Sequence, residues 1–319
     1  MSDLTGMPAP KKQDMFEVVE IDENVAACFP RGTRVVEAWL HGASFWTRTA
    51  KVQVQFPDGS PHTYFLKVAT GDVGKGMSEG EYEGIKALHQ VVPEGVPRPE
   101  PTNLPDVQQF CALLAKLHRE SIPLSPNGKF GFPTTTYEGT MWQDTTWCDT
   151  WEESFLRHFK AFVQQEREVH GPDDELDMLL PSFYQKVIPR LLRPLESHGR
   201  NVMPVLVHGD IWYGNIAMKA DTGEPLMFDP SVFWGHNEYD LDNMKVPRYR
   251  MGRHWMREYH KHFPISAPEH DYEDRINLYE IRGCLCASTL YPDTTVFRKL
   301  AISEIRKLVE KFSDGYQGQ

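Results

Sequence analysis

No stretch of the sequence approaches the roughly 20 apolar residues a helix needs to cross a bilayer. The first residues carry Pro8, Pro10, Lys11 and Lys12 but no apolar centre, so they do not read as a secretory signal. Positive charge is in deficit: 34 Lys and Arg face 45 Asp and Glu, a formal net charge of −11. Such a chain lacks the broad basic field that nucleic acid or anionic lipid favours, and neither is expected as a partner; any polyanion must be held by a local site. Cysteine is sparse. Cys28, Cys111, Cys148, Cys284 and Cys286 are odd in number and scattered, which points to reduced thiols in a cytoplasmic protein. The Cys284/Cys286 pair has no second pair to complete a zinc site. No internal repeat or low-complexity tract is present.

What remains is an ordinary globular composition, 40% hydrophobic and 25% charged over 319 residues, long enough for one large domain or two smaller ones. Residues 1–15 read as a disordered leader. Arg34–Leu40, Phe45–Phe56 and His62–Ala69 are rich in β-branched and aromatic residues, and Pro57-Asp58-Gly59-Ser60 supplies a turn between the last two. A helix follows, with Ser78 and Glu81 at capping-box spacing and Ile85 and Leu88 on the Glu81 face. Five prolines between Pro93 and Pro105 then break regular structure, and Asp106 is placed to cap a helix carrying Phe110, Leu113, Leu114 and Leu117. Beyond it the pattern is helical over Trp151–Glu168, Asp174–His198, Arg253–His262 and Tyr272 to about Phe312. A β island at Met203–Val207 and Leu226–Phe228, around the turn Asp221-Thr222-Gly223, interrupts it. Trp142, Trp147 and Trp151 read as packing rather than as a sugar-binding wall. The expected fold is α+β with two lobes: a β-rich nucleotide lobe over 16–100 and a helical catalytic and substrate lobe over 101–319.

The chemistry concentrates in Val205-Leu206-Val207-His208-Gly209-Asp210-Ile211-Trp212-Tyr213-Gly214-Asn215, with Asp229 closing the later strand Leu226-Met227-Phe228. An apolar strand ending in H-G-D, an Asn five positions on and a second Asp at a strand end suit phosphoryl transfer. Asp210 would accept the proton of an attacking hydroxyl, and Asn215 and Asp229 would hold Mg²⁺ against ATP phosphates. Lys67, inside the apolar Tyr64-Phe65-Leu66-Lys67-Val68, must find an anion or reach solvent. Read with the downstream set, it binds the nucleotide phosphates and pairs with Glu81, for which Glu79 or Glu83 are alternatives. His41-Gly42-Ala43-Ser44 reads either as a turn whose backbone N–H groups, at Gly42 and Ser44, would cover the phosphates or as a plain hairpin turn.

These residues carry a resemblance. HGDIWYGNIA followed by MFDPSVFWGHNEYDL, with F-L-K-V at Lys67, M-S-E-G-E at Glu81 and V-P-R-P at 96–99, resembles the fructosamine kinase (ketosamine-3-kinase) family. That family includes protein-ribulosamine 3-kinases and lies in the aminoglycoside-phosphotransferase-like branch of the protein-kinase fold. The resemblance implies ATP- and Mg²⁺-dependent phosphorylation of the 3-hydroxyl of a ketosamine on protein or a small amine, a deglycation step. It implies Asp210 as base, Asn215 and Asp229 on the metal, Lys67 and Glu81 on ATP, His208 and Asp240 as a structural brace and Trp212 as a wall for the sugar. Tyr213 stands where the family has a small residue, so the substrate side of the loop is expected to be reshaped. The family also places two strands and a hinge after V-P-R-P. Here six residues, Glu100–Pro105, precede the next helix, too few for two strands at about 3.3 Å per residue. The small lobe is therefore expected to lack its hinge strands. That expectation keeps two alternatives open: a non-catalytic or shortened kinase-like binding protein, and a kinase with another sugar or amino-alcohol acceptor.

Overall fold

The structure, a computed structural model, describes residues 21, 23–26, 29–43, 48–68, 71–95, 105–219, 222–246 and 251–318. The leader at 1–15 and the 96–104 segment that would carry the hinge lie outside the described residues. The chain divides into two compact units, 1–78 and 79–319.

In the first unit a helical turn, α1 (Glu23–Ala26), precedes an antiparallel meander of β1 (Arg34–Ala43), β2 (Arg48–Gln55) and β3 (Pro61–Val68). Alternation decides the faces. Ala50, Val52 and Val54 of β2 pair with Leu66, Tyr64 and His62 and build a small core with Ala38. Thr49 opposes Lys67, so the lysine stands on the other face of the sheet, half-buried. The expected turn forms: Asp58 Oδ1 accepts from the Ser60 backbone N–H at 2.9 Å, and Gly59 takes φ +85°. Gly42 lies inside β1 rather than in a turn, where the register shifts between Leu40 and Ala43. Ser44 lies outside the described residues.

Helix α2 (Gly71–Val91) starts earlier than the capping box predicts. Ser78 is interior, its hydroxyl bonded to the Gly74 carbonyl at 3.0 Å, so Ser78 is no N-cap and Glu81 no N3 partner. The units part inside α2, at Ser78/Glu79, rather than near residue 100. Gly80 and Gly84 tie the second half of α2 to the second unit. A Cβ at Gly80 would meet the Thr135 carbonyl at 2.8 Å, and one at Gly84 would meet Val232 Cγ2 at 3.1 Å. Only bare backbone lets this half of the helix pack so closely on the second unit.

The second unit is mainly helical. Asp106 caps α3 (Val107–Ser121), accepting from the Gln109 N–H at 3.0 Å. A hairpin of β4 (Tyr137–Glu138) and β5 (Met141–Trp142) leads into α4 (Trp151–His170), capped by Thr150 and ended by Gly171 at φ +76°. The helix expected over Asp174–His198 is interrupted: α5 (Asp174–Ser182), a π-helical turn at Phe183–Val187, α6 (Ile188–Leu192) and a 3₁₀ turn at Arg193–Glu196. Pro181, Pro189 and Pro194 each remove a donor from the ladder. The β island is two separate ribbons. β6 (Val205–Val207) pairs with β9 (Phe233–Gly235), and β7 (Ile216–Met218) with β8 (Pro225–Met227), so the two predicted segments do not pair with each other. Then follow α7 (Asp242–Lys245), α8 (Arg253–Tyr259), α9 (Tyr272–Leu290) and α10 (Val296–Lys311). The single helix expected from Tyr272 breaks at Tyr291, ahead of Pro292.

Trp151 anchors this core. Its ring is fully buried and stacks on Phe233 at 6.3 Å, and its Nε1 donates to the Tyr279 hydroxyl at 2.9 Å. Helices α4 and α9 are thereby fixed to β9 and to Tyr239, on the platform that carries the loop after β6. Among the described residues no helix is long and apolar enough to cross a membrane.

Candidate active site

Strand β6 is wholly buried and delivers His208-Gly209-Asp210 at its end. Gly209 is required there, with φ +86° and the Ser231 carbonyl 2.3 Å from where a Cβ would stand. Asp240 braces the loop from below. It accepts the backbone N–H of His208 at 2.7 Å, that of Gly209 at 2.7 Å and His118 Nε2–H at 3.0 Å. Burial alone would raise the Asp240 carboxyl; the His118 hydrogen bond and the donors around it outweigh that and hold it below its ordinary value. With Nε2–H committed to Asp240, His118 Nδ1 accepts from the Tyr259 hydroxyl at 2.7 Å, and Tyr259 in turn accepts from Asn237 at 3.0 Å. His208 is kept neutral by burial and directs Nε2–H to the Phe228 carbonyl at 3.0 Å.

The metal-site candidates gather around the same loop. Both amide hydrogens of Asn215 are committed to Asp210, to its carbonyl at 2.9 Å and its carboxylate at 2.8 Å. Asn215 Oδ1 is therefore the atom left for a cation. The Asn215 carbonyl accepts from the Phe228 N–H at 3.1 Å, and Ile216 pairs with Met227, which sets Asp229 one residue past the Asn215 level. Asp229 takes φ +53°, a left-handed conformation rarely held by a residue other than glycine, and Pro230 follows it. Among the described residues no three His, Cys, Asp or Glu side chains form a closed metal cage. An Asn oxygen and one carboxylate fit Mg²⁺, which keeps several waters and takes the rest of its shell from phosphates.

Asp210 retains partial solvent access. Burial and the Glu138 carboxylate push its pKa well above the ordinary value, against Arg282 and the Asn215 amide. Sequence reasoning missed this surrounding. Arg282 bridges Glu138 and, at 2.9 Å, Asp242, all three buried. Asp242 is pushed up to about 7 by burial, with Glu138 adding to the rise and Arg282 opposing it. No local signal marks this triad, since its members lie 144 and 40 positions apart. His118 was missed for the same reason, 122 positions from Asp240.

Trp212 folds its ring over Gly214, whose Cβ would fall 2.3 Å from it. Tyr213 packs edge-on to Trp212 at 4.9 Å and against the main core. Glu81 lies within α2, in the second unit, and Lys67 in the first.

The family model described as Fructosamine kinase matches residues 100–311. A chloroplastic protein-ribulosamine 3-kinase from Oryza sativa subsp. indica is 26% identical over 247 residues, 68% of this chain and 64% of that protein. The chain thus spans less than two thirds of that relative's length. A solved Haemophilus somnus protein described as a candidate fructosamine-3-kinase superposes with a TM-score of 0.67 at 16% identity, over 86% of this chain and 92% of its own. A thermostable mutant of the aminoglycoside phosphotransferase APH(4)-Ia gives 0.54 at 14% identity, over 87% and 95%. With the braced H-G-D loop and its Asn and Asp partners, these likenesses establish that the chain belongs to the fructosamine kinase family, with a protein-kinase-like fold.

Proposed function

We propose that the protein is a kinase that transfers the γ-phosphoryl group of ATP to the 3-hydroxyl of a ketosamine, a ribulosamine or fructosamine adduct on protein or on a small amine. The observation that carries the reading is the Asp210 loop: a carboxylate on a rigid strand end, clamped by Asn215 and held from below by the buried Asp240. Asp210 accepts the hydroxyl proton as the acceptor oxygen attacks. Asn215 and Asp229 hold Mg²⁺, which supplies charge neutralisation on the triphosphate when bound. Lys67 is assigned to the nucleotide phosphates, Glu81 to orienting that lysine and Trp212 to the sugar. The phosphorylated adduct then decomposes, so the activity amounts to deglycation, in the cytoplasm.

ATP consumption with ribulosamine and fructosamine acceptors, compared between wild type and Asp210→Ala, tests the assignment; equal turnover by both proteins rejects Asp210 as base. The shortness of Glu100–Pro105 favours a second reading, a kinase-shaped protein that binds without turnover. That reading requires no change in melting temperature with ATP and Mg²⁺, and a Mg²⁺-dependent rise removes it. A panel of other sugars and amino alcohols decides the acceptor.

A further inference from the structure

Asp240 holds the H-G-D loop by its N–H groups, and Ser231 holds the loop from another side. The Ser231 N–H donates to the His208 carbonyl at 2.9 Å, and a Cβ on Gly209 would stand 2.3 Å from the Ser231 carbonyl. Ser231 comes two residues after Asp229 and two before β9, so it stands outside the ladder of β9 with β6. It thereby ties the turn that carries Asp229 to the loop that carries Asp210. Its carbonyl takes a hydrogen bond from a side chain: Gln143 Nε2 donates to it at 3.0 Å.

Gln143 is itself held in place. It follows β5, and its backbone N–H donates to the Thr136 carbonyl at 2.9 Å, across the hairpin. The residue before it, Trp142, is gripped at both backbone groups by Gln165 of α4. Gln165 Oε1 accepts from the Trp142 N–H at 3.0 Å, and its Nε2 donates to the Trp142 carbonyl at 2.9 Å. A path of hydrogen bonds and chain thus runs from α4 through Gln165, Trp142, Gln143 and Ser231 to His208. Gln143 and Ser231 are each 1% exposed, so bulk water does not reach the bond between them. A carbonyl accepts only from the NH₂ end of an amide, which leaves Gln143 Oε1 with no partner among the described residues. An apolar side chain of the same length would fill the space without that orphan oxygen. A buried amide that leaves one atom unpaired lowers stability, and what it gives in return here is a fixed Ser231 carbonyl.

We propose that Gln143 is a positioning residue for phosphoryl transfer: by holding the Ser231 carbonyl it fixes the spacing between the Asp210 loop and the Asp229 turn. This rests on the kinase reading, which makes Asp210 the base and Asp229 a metal ligand.

Gln143→Met keeps the length of the side chain and removes the donor. Gln143→Asn keeps the amide but stops one methylene short, and is the milder variant. Thr136→Val, in the same hairpin, removes a buried hydroxyl that has no partner among the described residues, and is the control for a purely structural lesion. Each full chain is compared with wild type by turnover of a fructosamine with ATP and Mg²⁺, by melting temperature and by amide hydrogen exchange. In Gln143→Met kcat should fall about 10–100-fold, the scale of a misplacement of about 1 Å, with KM for ATP and for the fructosamine within about twofold of wild type. Exchange should quicken over 208–215 and 229–233. Gln143→Asn should show a smaller change of the same kind, and it decides the matter where Gln143→Met does not fold. Thr136→Val should leave kcat and this exchange unchanged, whatever its melting temperature. Unchanged kcat in a folded Gln143→Met, or an equal loss in Thr136→Val, overturns the proposal. So does a raised KM with kcat kept, which would assign Gln143 to binding. Equal turnover by wild type and Asp210→Ala, or none by wild type, refutes the kinase reading instead. The exchange readout then decides the tie by itself: quickening confined to the two segments upholds it, and unchanged exchange removes it.

Discussion

Replacing Asp240 by Asn keeps the size of the side chain and removes its charge. In the wild type this carboxylate accepts three hydrogen bonds, from the backbone N–H of His208 and of Gly209, each at 2.7 Å, and from His118 at 3.0 Å. An asparagine offers one oxygen where two are needed, so its NH₂ faces one of these N–H groups in the interior. Hydrogen bonds to a charged partner contribute about 1.5–3 kcal/mol each, and stripping one side of a buried charged network costs about 3–5 kcal/mol. We therefore expect Asp240→Asn to lose about 3–5 kcal/mol in urea unfolding and to melt roughly 10 °C lower, by the usual scaling for a unit of this size. The pH dependence adds a second reading. The folded-state pKa of Asp240 lies below its ordinary 3.8, so its contribution is complete above roughly pH 4 and is lost as pH falls through the lower folded value. The gap between wild type and variant should thus be constant near neutrality and narrow in acid. A variant that unfolds within about 0.5 kcal/mol of wild type at pH 7 would refute the argument that the H-G-D loop hangs on this carboxylate.

Further expectations follow from the same geometry. Asp210→Ala should cut phosphoryl transfer by about 10²–10⁴-fold, the usual contribution of a positioned base, with nucleotide binding by thermal shift largely retained. Gly209→Ala must hold a left-handed backbone and place a Cβ against the Ser231 carbonyl, so chemical denaturation should show a loss of at least about 1–3 kcal/mol, together with lost activity. Burial depresses His158 to about 3 and His236 to about 4, from 6.5. Both are neutral in the fold and protonate first in the unfolded chain. Stability should therefore fall as pH drops below about 6.5, by about 1.4 kcal/mol per pH unit for each, until the folded values are passed. Denaturant titrations of wild type and His158→Gln between pH 7 and 5 check this, since the variant should show the shallower slope.

The site was readable to the extent that it is local. His208, Asp210, Asn215 and Asp229 lie on one strand–loop–hairpin stretch, where H-G-D after an apolar strand and an Asn five residues on leave few other uses for the pattern. Asp240 was accessible only through resemblance, because nothing about a Tyr-Asp-Leu sequence shows that its carboxylate will turn back beneath two backbone N–H groups. His118, Glu138, Asp242 and Arg282 were invisible because their partnerships are made by tertiary packing between α3, the β4–β5 hairpin, α7 and α9, far apart in the sequence. Periodicity found α3 and α4 but misjudged α2, where Ser78 bonds back to Gly74 instead of capping. Short strands failed for a different reason. β7 and β9 are three residues each, too brief for alternation to declare itself, so the two ribbons merged into one island. Prolines at 93–105 drew the expected boundary toward residue 100, whereas the compact units part inside α2.

The most direct test of the account is to follow ATP, Mg²⁺ and a fructosamine with the full chain by phosphorus NMR. A new sugar phosphomonoester signal should grow with ADP, require Mg²⁺ and be absent with Asp210→Ala. Unchanged ATP, or a phosphomonoester formed equally well by Asp210→Ala, would contradict it.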